Sequence, residues 1–167
     1  MKDIDKGALM FTIKMLINEL DKRKEVLEAV AAIEAMVQLQ EPWSNQTLNE
    51  LLEQDSIQLM IMINTTNEEV IGYCLYQVLF EQAEILRIGT HPDYQRQGIA
   101  SQIFAELNEV LETQQVEALL LEVRADNTAA IALYEQQGFM LIHRRKGYYQ
   151  LGLQSAIDAL IMQRIYN

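Results

Sequence analysis

The sequence predicts an α/β domain built on a mixed sheet, and three observations carry that prediction. A front half rich in strand-like stretches is followed by segments in the order β-α-β-α-β-β. Ala118–Val123 (ALLLEV) is a nearly unbroken apolar run, the form of a strand buried on both faces. Ile99, Ile103, Leu107, Val110 and Leu111 share one face of a helix of about 15 residues. A length of 167 residues suits one compact domain with a real core.

The elements follow in chain order. Phe11, Ile13 and Met15 alternate with Thr12 and Lys14, an opening strand. Asp21 is placed to cap a helix running to about Val37, with Val26, Val30, Ile33 and Val37 at helical spacing. Ser44 in PWSNQTLNELL is the N-cap of a second helix carrying Leu48, Leu51 and Leu52. Three strands are expected at Ile57–Ile63, Val70–Phe80 and Ala83–Thr90, joined by turns at Asn64–Glu69 and Glu81-Gln82. After the long helix and ALLLEV, Asn127 caps a short helix that Gly138 closes. Phe139–His143 and Ala156–Ile165 complete the chain as strands, separated by RRKGYYQLG.

Composition narrows the function. Half the residues are apolar and 22% are charged, a globular balance. One cysteine, Cys74, excludes an internal disulfide framework and reads as a buried strand residue. No apolar run is long enough to span a bilayer, and MKDIDKGALM is not a secretory signal, so a reducing cytoplasm is the expected location. His91, His143 and Cys74 lack metal-ligand spacing, so no metal is expected. The net charge is −11, and it is unevenly placed. From Glu25 to Leu86 there are eleven acids and no Lys or Arg; elsewhere 13 acids face 13 bases. Such a surface repels phosphate backbones, so direct nucleic-acid binding is not expected. It either keeps the protein soluble or draws cationic partners.

The densest chemistry lies in IGTHPDYQRQGIAS, residues 88–101. A strand ends near Thr90, Pro92 turns the chain, and QRQGIA (95–100) leads straight into a helix. That geometry places backbone N–H groups at a helix N-terminus, where donors and dipole together attract an anion. Gly98 lets the main chain approach it, Ala100 keeps the next turn uncrowded, and Arg96 adds a charge suited to phosphate.

QRQGIA matches the Q/R-x-x-G-x-G/A signature of the GNAT superfamily of N-acetyltransferases. HPDYQRQGIA, LLLEVRADNTAAIALYEQQGF, DALIM and the PWS near the front resemble its RimI-type ribosomal-protein-alanine N-acetyltransferase branch. The resemblance spans about Phe11 to Ile165. It implies a GNAT fold with a mixed central sheet and about four helices. It also implies a single N-acetyltransferase domain over 1–167, with 1–9 a short leader and Met10 an alternative start. Three departures stand out. Ala100 and Ser101 replace the frequent final Gly and its following base, Ile88-Gly89-Thr90 replaces a common IAV, and RRKGYY is one residue longer than RRNYY.

The resemblance implies direct transfer of an acetyl group from acetyl-CoA to the N-terminal alanine amine of a ribosomal protein. It assigns the pyrophosphate to Arg96, Gln97, Gly98, Ile99, Ala100 and Ser101, and the pantetheine arm to Ile88, Gly89 and Thr90. Glu122 would be the base: an α-amine of pKa near 7.7–8.0 must lose a proton, and a partly desolvated carboxylate can take it. On residue type alone, Glu122 reads equally as an outward-facing strand residue or an ion-pair partner of Arg124. Tyr134, twelve residues on, would protonate the departing thiolate; without the family it reads as a packing tyrosine. Asn127 caps its helix, contacts the cofactor, or both, and Trp43 and Tyr148 are expected to line the substrate cleft. Arg144-Arg145-Lys146 reads as a solvated loop. A basic peptide would suit the acidic 25–86 stretch. The alternatives are acetylation of a small-molecule amine or a lysine side chain, and a catalytically silent CoA-binding module.

Overall fold

The computed structural model describes residues 10–15, 20–38, 40–150 and 152–167; the expected leader, 1–9, lies outside them. Among the described residues, seven strands form one mixed sheet in the order β1-β2-β3-β4-β5-β7-β6. They are β1 (Phe11–Met15), β2 (Ile57–Asn64), β3 (Glu69–Leu79), β4 (Gln82–Thr90), β5 (Ala118–Arg124), β6 (Met140–Tyr149) and β7 (Ile157–Ile165). The helices are α1 (Leu20–Val37), α2 (Asn45–Leu51), α3 (Ile99–Thr113) and α4 (Thr128–Gln136). β4 and β5 run parallel, which requires a crossover, and α3 provides it. No helix among the described residues is long and apolar enough to cross a membrane.

The chain divides into two compact units. One comprises the chain up to Tyr76 together with Arg87–Leu107; the other comprises Gln77–Leu86 and Asn108–Asn167.

In the first unit, β1 pairs antiparallel with β2 from Phe11↔Asn64 to Met15↔Met60. Leu59, Met60, Ile61 and Met62 of β2 are all buried, so its apolar run serves both faces. α1 buries Leu27, Val30 and Ile33 at three-residue steps, with the fully buried Glu34 on the same stripe. This helix spans Leu20–Val37, and the side chain of Asp21, expected to cap it, lies outside what the structure describes. Ser44 does cap α2: its side chain accepts the Thr47 N–H. Gly72 on β3 lets α3 approach closely. A Cβ there would lie 3.0 Å from Ile99 and 3.3 Å from Ile103.

The second unit corrects two expectations. β5 is not buried on both faces: Leu119, Leu121 and Val123 are buried, whereas Leu120, Glu122 and Arg124 are half-buried. The alternation leaves room for a working side chain on the second face. β6 does not stop at His143 but continues through RRKGYY to Tyr149, pairing Arg144↔Leu160 and Arg145↔Ala159 with β7. It is an edge strand whose side chains from Met140 to Lys146 are exposed, so basic residues cost it nothing. Asn127 caps α4 by accepting the Ala130 N–H, and Gly138 follows the helix at φ +86°.

Candidate active site

The predicted site residues fall into two sets, one in each unit. In the first unit, β4 ends at Thr90 and the chain turns through a short 3-10 segment, Pro92–Tyr94. The His91 N–H donates to Ile71 C=O at 2.8 Å, anchoring the turn to β3. Side-chain amides then tie the loop to itself: Gln95 donates to Thr90 C=O and Gln97 to Asp93 C=O, both at 3.3 Å. Arg96 at φ +62° and Gly98 at φ +79° flank Gln97, so two left-handed residues turn the chain sharply ahead of α3. Arg96, Gln97 and Gly98 are exposed, and no atom lies within 4 Å of where a Gly98 Cβ would stand. Ile99 is buried and holds the first turn down. The N–H groups at the start of a helix point away from its own carbonyls, toward an anion placed ahead of it. The loop is therefore exposed and cationic, and its chemistry fits a pyrophosphate.

Ile88, Gly89 and Thr90 are half-buried at the end of β4. Beneath them lies a cluster that sequence reasoning missed. Glu34 is fully buried and accepts the Trp43 N–H at 3.0 Å and the Tyr73 hydroxyl. Arg87 approaches the same carboxylate at 3.4 Å, and its guanidinium stacks 4.1 Å above the Trp43 ring. Burial first, then the Glu34 charge and hydrogen bond, hold the Tyr73 phenol well above its usual range, so it stays a donor. The Tyr73 ring stands where a Gly89 Cβ would be, at 2.8 Å, which accounts for glycine at this position. The one available signal was Glu34 itself, an acid beside Ile33 on the apolar stripe of α1.

In the second unit, Glu122 lies opposite Ile161 of β7 with its side chain one quarter exposed. Its Oε1 accepts the Tyr149 hydroxyl at 2.8 Å, and its Oε2 lies 3.6 Å from the Arg145 guanidinium. Arg124 is not its partner. That side chain pairs with Asp126 at 2.7 Å and stacks 5.8 Å from the Tyr149 ring. Glu84 on β4 adds a second carboxylate; burial, then the Glu122 charge, raises its pKa, and Arg145 opposes the rise. Tyr134 is buried on α4, its ring 5.9 Å from Phe139. Arg145 and Tyr149 escaped the sequence reading because they sit on the part of β6 that reads as a loop. Trp43 belongs to the first unit and Tyr148 to the second, where it is half-exposed against Tyr149. Among the described residues no group of three or more His, Cys, Asp or Glu is arranged to hold a metal.

Comparison with known proteins meets these features from outside. Residues 24–139 match the Acetyltransferase (GNAT) family. Over 121 residues the chain is 36% identical to the ribosomal protein bS18-alanine N-acetyltransferases of Salmonella typhimurium and Escherichia coli, covering 72% of this chain and 79% of each relative. The crystal structure of the ribosomal-protein-S18-alanine N-acetyltransferase from Escherichia coli matches it with a TM-score of 0.80 at 33% identity. That match covers 93% of this chain and 94% of the other. A mixed seven-stranded sheet with four helices, a cationic loop opening α3 and this degree of identity lead to one assignment: the chain belongs to the acetyltransferase (GNAT) family, as an acetyl-CoA-dependent acetyltransferase.

Proposed function

We propose that this enzyme acetylates the N-terminal alanine of a ribosomal protein, with Glu122 as base and Tyr134 as acid. The observation that carries the acceptor is the likeness to bS18-alanine N-acetyltransferases over nearly three quarters of the chain. A cytoplasmic place of action goes with that acceptor. The reading of 1–167 as one acetyltransferase domain is supported by a family match that runs through residues of both units.

Acetyl-CoA supplies the activated acyl group. Arg96, Gln97, Gly98, Ile99, Ala100 and Ser101 hold its pyrophosphate through backbone N–H groups and the Arg96 charge. Ile88, Gly89 and Thr90 pair with the pantetheine arm through strand-edge groups, and Asn127 adds a contact beside its capping role. Glu122 accepts the proton that the attacking amine must shed. Tyr149 and Arg145 fix both of its oxygens, so it waits in one orientation rather than several. Tyr134 gives its phenolic proton to the departing thiolate, leaving no charge on the product thiol.

The test is an acetylation assay of alanine-starting basic peptides against polyamines, aminoglycosides and peptides whose only amine is an internal lysine. The alanine peptides should be preferred by kcat/KM; preference for any other amine defeats the acceptor assignment. Glu122→Gln should lower the rate roughly a hundredfold at neutral pH and recover partly as pH rises through the amine pKa. Tyr134→Phe should lose a similar factor with no such recovery. Wild-type kcat in Glu122→Gln across the pH range would return Glu122 to a structural role.

A further inference from the structure

RRKGYY lies where the register of β6 against β7 becomes irregular. The pairs Arg145↔Ala159 and Tyr149↔Ile157 bracket an irregularity in its register. Four steps along β6 meet two along β7, so the surplus forms a bulge in an edge strand. Gly147 turns this bulge at φ +61°. A Cβ there would meet only Ala156, at an ordinary 3.6 Å, so the requirement for glycine is conformational rather than one of space.

Asp158 is the β7 residue between Ile157 and Ala159, directly across from the bulge. Its Oδ1 accepts the Gly147 N–H and its Oδ2 accepts from the Arg144 guanidinium, both at 2.9 Å. The Gly147 carbonyl in turn accepts from the Gln150 side chain at 2.8 Å. Asp158's own carbonyl accepts the Ala125 N–H at 2.9 Å, tying this point of β7 to the residue after β5. Just beyond the bulge stands Tyr149 on one oxygen of Glu122; just before it stands Arg145 near the other. Among the described residues, the Glu84 carboxylate on β4 is a further charged group that meets Glu122.

We propose that Asp158 is a positioning residue for acetyl transfer: by closing the bulge at Gly147 it returns the Tyr149 hydroxyl to Glu122, an inference that rests on Glu122 being the base. A strand's side chains alternate between faces, so a slip of one residue after Arg145 would turn Tyr149 away from Glu122. An edge strand has no second neighbour to prevent that slip. The Asp158 carboxylate does so, holding Gly147 and Arg144 at once. The bulge in β6 and the acid across from it thus form one device.

Steady-state acetylation of an alanine-starting basic peptide tests this in the full chain. Asp158→Ala and Tyr149→Phe should each lower kcat about tenfold, the scale of one hydrogen bond to a charged group. The KM for acetyl-CoA should not move. The double variant should lose no more than either single one, because both cut the same link. Asp158→Asn, whose amide oxygen still accepts from Gly147, should recover most of the loss. Gly147→Ala strains the bulge from the other strand and should also lower kcat, which keeps the test open if Asp158→Ala does not fold. Multiplying losses in the double variant, or wild-type kcat in Asp158→Ala or Gly147→Ala, overturn the proposal. Glu122→Gln separates the two layers. If it keeps its kcat, the base assignment itself fails; if it is inactive while the other losses multiply, only the role of Asp158 falls.

Discussion

A methyl group on Gly89 would sit 2.8 Å from both the ring and the hydroxyl of Tyr73. The ring has little freedom to retreat, since Tyr73 is fully buried and its hydroxyl is committed to the equally buried Glu34. Gly89→Ala should therefore destabilise the protein by about 1–3 kcal/mol, the usual range for overpacking. Denaturant midpoints would show it, and the same change in a Tyr73→Leu background should cost much less. Equal midpoints for Gly89→Ala and the wild type would mean that the Tyr73 ring does not hold this place. The pair was not legible beforehand. Tyr73 and Gly89 are sixteen residues apart in strands with no shared motif, and only folding makes the ring the reason for the glycine. Glu122 and Tyr134 could be singled out because their spacing belongs to a family pattern, whereas the contacts that hold Glu122 could not. Arg145 and Tyr149 reach it from a strand that reads, residue by residue, as a basic turn.

Elements announced themselves where one force dominates. α3 was legible because Ile99, Ile103, Leu107 and Leu111 bury one stripe, and α2 and α4 because Ser44 and Asn127 satisfy the first N–H groups of each helix. The first part of β6 was legible, but its continuation over 144–149 was not, because that basic, exposed stretch of an edge strand carries no apolar alternation to detect. The opening of α3 allows a sharper test. Nothing lies within 4 Å of a Gly98 Cβ, so a side chain there acts through backbone strain at φ +79° and through its charge, not through crowding inside the protein. Acetyl-CoA should raise the thermal midpoint of the wild type. Gly98→Ala should weaken binding measured by calorimetry, and Gly98→Asp should abolish it by adding a like charge where the pyrophosphate is to sit. The same affinity in all three proteins would remove the loop from cofactor binding.

At the scale of the molecule, the net charge of −11 is concentrated between Glu25 and Leu86. Of the eleven acids between Glu25 and Leu86, only Glu34 is buried, and Arg87 approaches it at 3.4 Å; the other ten are exposed. Eight of those ten belong to the first unit: Glu25, Glu28, Glu41, Glu50, Glu53, Asp55, Glu68 and Glu69. Exposed like charges act in sum over distance, and salt weakens them beyond a screening length of about 8 Å at physiological ionic strength. A cationic acceptor should therefore gain association rate from this surface. With an alanine-starting basic peptide, kcat/KM should fall steadily as salt is raised, while kcat at saturating peptide stays nearly flat, because steering acts on encounter and not on proton transfer. A neutral peptide with the same first residues reaches the same chemistry without the attraction, and its kcat/KM should change little over the same series. Replacing Glu50, Glu53 and Asp55 together by their amides should flatten the basic peptide's response and leave the neutral peptide's rate in place. Parallel salt curves for the two peptides would show that the acid-rich stretch keeps the protein in solution and does nothing to select its partner.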